Sequence, residues 1–339
     1  MIIVMNPGAS REKIDHIVEL VQEMGLKAQV IDGTDLTVVA AIGDDRLKEK
    51  SQLEQALGVN RVVPILSPYK MAAKEIKPDR TQVVLSPQCI FGGSQVPIIA
   101  GPCSVEGEDK IIQAAKYVKA AGANALRGGA FKPRTNPYAF QGYGEDGLKM
   151  LAAARQETGL PIVTEVLANE DVQLVSKYAD CLQIGTRNCQ NFRLLEAVGK
   201  QNKPVLFKRG MSMTLDEYLQ AADYILAAGN EKVILCERGI RTFENHTRNT
   251  LSLSAVPELQ KRTHLPIIID PSHGTGKRHL VPSMSLAAIA AGCDGLAIEM
   301  HQDPQHAWTD GAQSVTPEAL TDLIARARKV AQAVDRIIL

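Results

Sequence analysis

Cys103, His273, Glu299 and Asp310 carry side chains that bind divalent metal ions, and they stand at or just after the ends of apolar runs. One thiolate, one imidazole and two carboxylates suit Mn, Fe, Co, Zn or Cu, whereas Mg would avoid the soft thiolate. Taken singly, these residues are explained more readily as a buried cysteine, a surface histidine and two solvated acids. If they converge, they predict a metal site in which Cys103 and His273 also serve catalysis.

A second set of residues is basic and follows other apolar runs. Because like charges repel, cations gathered around one mouth need an anionic ligand. Arginine and lysine match phosphate and carboxylate groups, so the set predicts a substrate with more than one anionic group. Each could instead be a solvated charge or an ion-pair partner of Glu165 or Glu237, and Lys132 could also transfer a proton because crowded cations lower a lysine's pKa. The set comprises Arg127, Lys132, Arg134, Lys208, Arg209 and Arg238.

Other polar residues beside these runs are predicted to support the site. Thr164 and Glu165 either position a carboxylate there or form a structural ion pair. His301 could shuttle protons or simply hydrogen-bond at the surface, and Trp308 could cover the site. Side chains that would orient the ligands are Arg187, Asn188, Asp270 and Ser272.

The elements that must position these residues are eight buried strands that alternate with amphipathic helices. Strands buried on both faces read as continuous apolar runs, here at 97–103, 123–129, 160–165, 181–188, 204–210, 233–239, 266–274 and 295–301. Helical stretches are predicted at 107–121, 145–158, 169–178, 190–199, 214–228, 247–262, 280–291 and 316–337. This number and size predict an α/β (β/α)₈ TIM barrel, with a doubly wound sheet as the alternative. In a closed barrel the last strand pairs with the first. This pairing would gather Cys103, His273, Glu299 and Asp310, called the metal-type group below.

Residues 1–66 predict a small ferredoxin-like α+β domain without catalytic residues. Its β-α-β-β-α-β order follows from strands at 1–5, 27–32, 36–42 and 61–66, a helix after Ser10 and a helix at 46–57, with a turn at Asp32-Gly33. Residues 67–80 are predicted as a linker and 81–339 as the catalytic barrel, whose first segment, 81–94, forms a hairpin closing its lower end.

Composition excludes several classes of protein. Thirty-eight basic and 38 acidic residues balance, which argues against a nucleic-acid partner. No apolar stretch reaches the length of a membrane span, and the N-terminus lacks a signal-peptide pattern. The six cysteines form no CxxC pair, which predicts reduced thiols in a cytoplasmic enzyme.

Several motifs closely resemble 3-deoxy-D-arabino-heptulosonate 7-phosphate (DAHP) synthase, in the class whose short barrel is shared with 3-deoxy-octulosonate 8-phosphate synthases. The match covers essentially all of 81–339, and the N-terminal module resembles the regulatory domain of one variant. The motifs are GPCS (101–104), LRGGAFKPRTNPYAFQG (126–142), FKRG (207–210), ILCERGIRTFE (234–244) and DPSHGTGKR (270–278).

The resemblance implies metal-dependent condensation of phosphoenolpyruvate with erythrose 4-phosphate, the entry step of the shikimate pathway, without an organic cofactor. It assigns the metal to Cys103, His273, Glu299 and Asp310. It assigns phosphoenolpyruvate to Arg127, Lys132, Lys208 and Arg238, beside which we place Glu165. Erythrose 4-phosphate falls to Pro133, Arg134, Thr135 and Asn136, where many relatives carry Ser at position 136. It also suggests a homotetramer.

Three other functions remain open at this point. An octulosonate synthase would use arabinose 5-phosphate, although the Pro-Arg-Thr segment at 133–135 favours the four-carbon sugar. A metal-dependent phosphosugar aldolase would not need phosphoenolpyruvate. A barrel retained as an amino-acid sensor would not be an enzyme. Residues 1–66 are predicted to bind tyrosine or phenylalanine as a feedback effector, with a plain oligomerisation domain as the alternative.

Overall fold

The computed structural model describes residues 1–32, 36–43, 50–63 and 68–339 of the chain. The chain divides into two compact units. The first consists of Met1–Arg80 with Arg262–His264, and the second of Thr81–Lys261 with Leu265–Leu339.

The first unit contains a four-stranded sheet with two helices. Its elements are β1 (Ile2–Met5), α1 (Arg11–Glu23), β2 (Lys27–Asp32), β3 (Thr37–Ile42), α2 (Ser51–Glu54) and β4 (Val59–Val63). The strand order is β2-β3-β1-β4, and each neighbouring pair is antiparallel. This arrangement confirms the predicted ferredoxin-like fold.

Apolar periodicity explains how α1 joins this sheet. Ile14, Ile17 and Val21 are buried, and their spacing places them on one face of the helix. They pack in one cluster with Ile3 and Met5, which lie on the same face of β1 because strand side chains alternate. The unit therefore has a hydrophobic core of its own.

Three predictions for this unit fall partly on residues outside the described ranges. The turn at Asp32-Gly33 includes Gly33, the helix at 46–57 includes 46–49, and the strand at 61–66 includes 64–66, none of which is described. In the described part, α2 is shorter than predicted, since it ends at Glu54, and β4 begins two residues earlier than predicted.

The second unit begins with a hairpin and continues as a closed barrel. The hairpin strands are β5 (Val83–Ser86) and β6 (Cys89–Phe91). The barrel strands are β7 (Ile98–Gly101), β8 (Ala125–Arg127), β9 (Ile162–Val166), β10 (Cys181–Ile184), β11 (Val205–Lys208), β12 (Val233–Glu237), β13 (Ile267–Ile269) and β14 (Leu296–Glu299). Neighbouring barrel strands are parallel, and β14 pairs with β7 to close the ring. The predicted TIM barrel is confirmed.

Helices follow the barrel strands. They are α3 (Glu108–Ala121), α4 (Glu145–Thr158), α5 (Val172–Tyr178), α6 (Phe192–Gly199), α7 (Leu215–Ala227), α8 (Ala255–Arg262), α9 (Pro271–Thr275), α10 (Val281–Ala290) and α11 (Pro317–Ala333). The helix predicted over 247–262 is wrong for its first eight residues, because α8 begins only at Ala255. Pro257 explains this start, since proline is tolerated in the first helical turn and disrupts a helix interior.

The hairpin closes one end of the barrel. Val83, Cys89 and Phe91 are buried in one cluster with inward-facing strand residues such as Ile99 and Ala297. A methyl group at Gly295, which precedes β14, would meet the Phe91 ring at 2.8 Å. The hairpin therefore fills the end where the strands begin and leaves the end where they finish open for a ligand. In the described part of the chain, no helix is both long and apolar enough to cross a membrane.

Candidate active site

A cavity of about 280 Å³ opens where the barrel strands finish. Arg127 and Lys208, the last residues of β8 and β11, line it. The carboxyl ends of barrel strands are where TIM-barrel enzymes bind substrates. Of the residues predicted for the site, the cavity is lined by Arg127, Lys132, Pro133, Arg134, Thr135, Asn136, Glu165, Lys208, Arg238, His273 and Asp310.

Three of the four predicted metal ligands converge beside this cavity. Cys103, Glu299 and Asp310 each offer a ligand atom, and these atoms lie within 4.8 Å of one another. Glu299 pairs in register with Gly101, two residues before Cys103, so closure of the barrel brings these distant residues together. Cys103 and Glu299 are buried, and Asp310 is partly exposed toward the cavity.

His273 lies next to these three side chains, but it is not part of the set whose ligand atoms all lie within 4.8 Å of one another. Its Nε2 atom is 3.4 Å from Glu299 Oε1, while its Nδ1 atom is 2.7 Å from Asp270 Oδ2. Asp270 also caps α9 by accepting a hydrogen bond from the His273 backbone N–H at 2.9 Å. Asp270 therefore fixes the imidazole so that Nε2 faces the group, which is how carboxylates orient metal-binding histidines.

The chemistry of these donors fits a divalent transition metal. The Cys103 thiol donates to Asp310 Oδ2 at 3.3 Å, and burial, followed by the charge of Glu299, raises the pKa of Cys103 to about 11. For Glu299, burial alone would raise the pKa, but His273 and Arg127 outweigh it and lower the pKa to about 2. A binding ion would displace the thiol proton and meet an ionised carboxylate already in place. A soft thiolate beside hard carboxylates favours a transition metal over Mg.

The cations divide into those with carboxylate partners and those without. Arg127 Nη1 lies 2.5 Å from Glu299 Oε1, and Lys208 Nζ lies 2.6 Å from Asp270 Oδ2. Arg238 differs, because its buried Nη1 atom has no hydrogen-bond partner among the described residues. An unsatisfied buried guanidinium nitrogen costs free energy, so Arg238 at the cavity wall is suited to receive an anion.

Arg209 does not belong to this lining, contrary to its inclusion in the predicted set of cations. Its Nη1 atom donates to Glu237 Oε2 at 2.7 Å, and its Nη2 atom donates to the Met213 carbonyl at 2.7 Å. Adjacent strand residues point to opposite sides, so with Lys208 facing the cavity, Arg209 faces away from it. The structure shows the alternative interpretation of Arg209, an ion pair with Glu237.

Lys132 connects the cationic side of the cavity with the metal-type residues. Its ammonium group donates to the Cys103 carbonyl at 2.8 Å and to Cys103 Sγ at 3.0 Å. The prediction of a lowered pKa is wrong: burial and the charge of Arg127 lower it, but the nearby Cys103 sulfur and the charge of Glu165 outweigh them and raise the pKa of Lys132. Lys132 therefore stays protonated at neutral pH and is suited to donate a proton.

Glu165 occupies a position that only a glycine neighbour permits. A methyl group at Gly185 would lie 1.8 Å from Glu165 Oε1, and Gln183 Nε2 donates to Glu165 Oε2 at 3.2 Å. Gly185 and Gln183 also line the cavity, although neither is among the residues predicted for the site. A glycine directly after a buried strand was the signal that a side chain approaches closely at that point.

The segment from Pro133 to Asn136 forms one wall of the cavity. Thr135 Oγ1 accepts a hydrogen bond from Arg187 Nη2 at 3.4 Å. Arg187, predicted only as a support, therefore presents a cation to the same wall. Asn136 Oδ1 accepts from the Tyr138 backbone N–H at 3.0 Å, so part of this side chain organises the loop itself.

Arg248 also lines the cavity, a position hidden from sequence because the helix predicted over 247–262 includes it. Its Nη1 atom lies 3.5 Å from Asp310 Oδ1 and donates to Gln313 Oε1 at 2.8 Å. Gln313 Nε2 in turn donates to Glu299 Oε2 at 2.7 Å. Arg248 thus contacts Asp310 directly and is connected to Glu299 through Gln313.

The other side chains predicted to support the site form hydrogen bonds with backbone groups, not with the side chains of the predicted metal ligands. Ser272 Oγ accepts from the Glu299 N–H at 2.9 Å, Thr164 Oγ1 donates to the Gly128 carbonyl at 2.7 Å, and Asn188 Nδ2 donates to the Leu167 carbonyl at 3.1 Å. His301 and Trp308 do not line this cavity. The prediction that Trp308 covers the site is therefore not supported by its position.

Comparisons with known proteins agree with this architecture. A family model described as the DAHP synthetase I family matches residues 75–336, and one described as the DAHP synthase ferredoxin-like domain matches residues 1–67. The chain is 47% identical over 333 residues to a phospho-2-dehydro-3-deoxyheptonate aldolase of Thermotoga maritima, with 98% of each chain covered.

Two further matches place this similarity in context. A 2-dehydro-3-deoxyphosphooctonate aldolase of Syntrophotalea carbinolica is 33% identical over 268 residues, covering 73% of this chain and 94% of that protein. The crystal structure of a DAHP synthase from Thermotoga maritima matches with a TM-score of 0.80 at 46% identity, covering 100% of this chain and 99% of that one.

Proposed function

The chain belongs to the DAHP synthetase I family, and we propose that it condenses phosphoenolpyruvate with D-erythrose 4-phosphate to give DAHP and phosphate. It is an enzyme of the aldol-type transferase class. Carbon 3 of phosphoenolpyruvate would join the aldehyde carbon, water would add at carbon 2, and phosphate would leave by C–O cleavage. This reaction opens the route to aromatic amino acids.

The observation that carries the proposal is a cavity lined by cations with a thiol, an imidazole and two carboxylates at its edge. Both substrates are phosphorylated, and phosphoenolpyruvate also carries a carboxylate. Cations fixed in place hold such anions in reacting geometry, which supplies much of an enzyme's rate enhancement.

We assign phosphoenolpyruvate to the inner part of the cavity. Lys132, Lys208 and Arg238 line it there with Arg127, and each of these four is buried. The orphaned Nη1 atom of Arg238 gains a partner when a phosphate or carboxylate oxygen binds. Glu165 also lines the cavity, and its charge helps to raise the pKa of Lys132.

We assign the phosphate of erythrose 4-phosphate to the outer wall formed by Pro133, Arg134, Thr135 and Asn136. Arg187 contributes a second cation there, since its guanidinium reaches Thr135. This arrangement directs the aldehyde of the sugar inward, toward Cys103 and Asp310. The protonated Lys132 ammonium, 3.0 Å from Cys103 Sγ, can hold or deliver a proton at that position.

We further propose that Cys103, His273, Glu299 and Asp310 hold a divalent metal, for which Mn, Fe, Co, Zn and Cu all remain candidates. When bound, such an ion supplies Lewis acidity to an aldehyde oxygen. The chain's own contribution is the orientation of these ligands, through Asp270 on His273 and Gln313 on Glu299.

The choice of sugar provides the first test. We expect phosphate release only with both substrates present, and a kcat/KM for erythrose 4-phosphate at least about tenfold above that for arabinose 5-phosphate, because unmatched polar groups are costly in a specific site. Chelation should stop turnover, and an added divalent ion should restore it. A preference for arabinose 5-phosphate would instead identify an octulosonate synthase, and phosphate release without the aldose would exclude condensation.

We propose that residues 1–66 bind tyrosine or phenylalanine and so regulate the enzyme. The supporting observations are a compact unit with its own hydrophobic core and its match to a ferredoxin-like domain found with DAHP synthases. None of the described residues of this domain lines the cavity, so the domain is free to act on catalysis indirectly.

Deletion of residues 1–66 should abolish inhibition by tyrosine and phenylalanine while kcat changes by less than about threefold, since the barrel encloses its own core and all the cavity residues. Initial rates at increasing amino-acid concentrations measure this. Inhibition that persists in the deleted protein would place the effector site in the barrel, and loss of turnover would assign residues 1–66 a catalytic or structural role.

We also propose that the chain assembles as a homotetramer. Tyr138 and Phe243 are each 95% exposed, and large aromatic side chains left in water are commonly found at interfaces between subunits. The number of four subunits rests on the family resemblance.

A further inference from the structure

The loop after β7 and the loop after β14 meet side chain by side chain next to the metal-type group. Cys103 Sγ donates to Asp310 Oδ2 at 3.3 Å, and the hydroxyls of Ser104 and Thr309 lie 2.7 Å apart. Glu106 Oε1 then accepts from the Trp308 backbone N–H at 2.8 Å. Residues 103–106 and 308–310 run in opposite directions, since 103 contacts 310, 104 contacts 309 and 106 contacts 308. We call this set of contacts the antiparallel seam.

Glu106 lies at the end of this seam, and both oxygens of its carboxylate have partners. The residue is 7% exposed. Besides the Trp308 N–H, its Oε2 atom lies 3.2 Å from Lys110 Nζ and 3.3 Å from His301 Nε2. His301 Nδ1 accepts from the Asp303 N–H at 3.0 Å, so the proton of a neutral imidazole sits on Nε2 and points at Glu106. One buried carboxylate thus joins a helix, the end of β14 and the following loop.

Asp310 is the part of the seam that needs such support. Its φ angle is 50°, in the left-handed region, which a residue with a Cβ atom occupies only when its surroundings hold it there. The side chain is about a third exposed, so packing alone does not fix it. The contacts made by Thr309 and Trp308, the two preceding residues, restrain the backbone that carries the carboxylate.

We propose that Glu106 is a positioning residue that holds Asp310 beside Cys103 through the Trp308 N–H. The inference rests on the proposed metal site and deepens it. Glu106 touches neither the cavity nor a ligand atom, and its effect reaches the site through the loop that it anchors. Its loss would leave Glu299 in place on β14 and Cys103 in place just after β7, while Asp310 becomes free to turn away.

Cobalt titration tests the proposal directly, since Co²⁺ bound to a thiolate gives a charge-transfer absorption band that does not depend on turnover. Glu106→Met removes every acceptor at nearly constant size, whereas Glu106→Gln keeps one carbonyl for the Trp308 N–H. We expect the Kd for Co²⁺ to rise at least about tenfold in Glu106→Met and to take an intermediate value in Glu106→Gln. Glu196→Gln, which breaks a surface ion pair with Arg193 on α6, should match the parent protein.

Trp308 gives a second measurement, because it is the single tryptophan of the chain. In metal-free protein, acrylamide should quench its fluorescence more strongly in Glu106→Met than in the parent, since the loop loses its anchor. If Glu106→Met does not fold, Glu106→Gln alone decides between the two outcomes. A parent protein that binds no Co²⁺ would refute the metal site itself. Parent and both folded Glu106 variants binding Co²⁺ equally would refute only the role of Glu106.

Discussion

Replacing Cys103 by serine is expected to lower kcat/KM at least about 100-fold and to abolish the thiolate-to-cobalt absorption band. The Cys103 sulfur is one of three ligand atoms within 4.8 Å of one another, and a serine hydroxyl neither ionises readily nor offers a soft donor. Lewis-acid catalysis contributes several kcal/mol, and each 1.36 kcal/mol corresponds to tenfold in rate, so even its partial loss reaches this size. Initial rates and Co²⁺ titration measure both effects.

Cys293 provides the matched control for this substitution. It is as deeply buried as Cys103, and burial likewise raises its pKa, to about 12. It stands before β14, at the end of the barrel away from the cavity. Cys293→Ser should therefore retain the cobalt band and most activity. A Cys103→Ser enzyme with unchanged kcat/KM would show that the thiol takes no part in the reaction and would overturn the assigned ligand set.

The barrel was predictable because its signal is repeated. Eight apolar strands of similar length can form one parallel sheet only if the helices that connect them cover its outer face. When such a sheet closes into a barrel, the last strand lies beside the first. That closure makes β14 the neighbour of β7, and in the structure Glu299 pairs with Gly101. The meeting of Cys103 with Glu299 was therefore within reach of the sequence, although 196 residues separate them (299 minus 103).

The contacts that adjust the site were less predictable, since they depend on loops whose course the sequence does not reveal. Arg248 was assigned to a helix and instead lies in the loop that precedes α8, where it reaches Asp310. Glu106 follows a recognised motif, but its partner is the backbone of Trp308, and backbone donors leave no trace in residue types. The direction of Arg209 could have been predicted, because adjacent residues of a strand face opposite sides.

Replacing Asp270 by asparagine is expected to reduce the free energy of unfolding by about 3–5 kcal/mol, the usual consequence of leaving a buried charge without its partner. Asp270 is 2% exposed, and its Oδ2 atom lies 2.6 Å from Lys208 Nζ and 2.7 Å from His273 Nδ1. Asparagine keeps the oxygen that caps α9 but cannot balance the Lys208 ammonium. Urea unfolding followed by circular dichroism measures the difference at pH 7.

The pH dependence of that difference identifies charge as its cause. Burial alone would raise the pKa of Asp270, but His273 and Lys208 outweigh it and hold the pKa well below its usual range. A carboxylate with a depressed pKa stabilises the fold above the pKa of the unfolded chain, about 4, and loses that contribution as the pH falls toward the folded value. The gap between parent and Asp270→Asn should therefore narrow below about pH 4. Asp180→Asn, in a partly exposed pair with Arg155, should cost only about 1 kcal/mol at pH 7. Equal losses at the two positions would mean that the buried pair contributes no more than an exposed one.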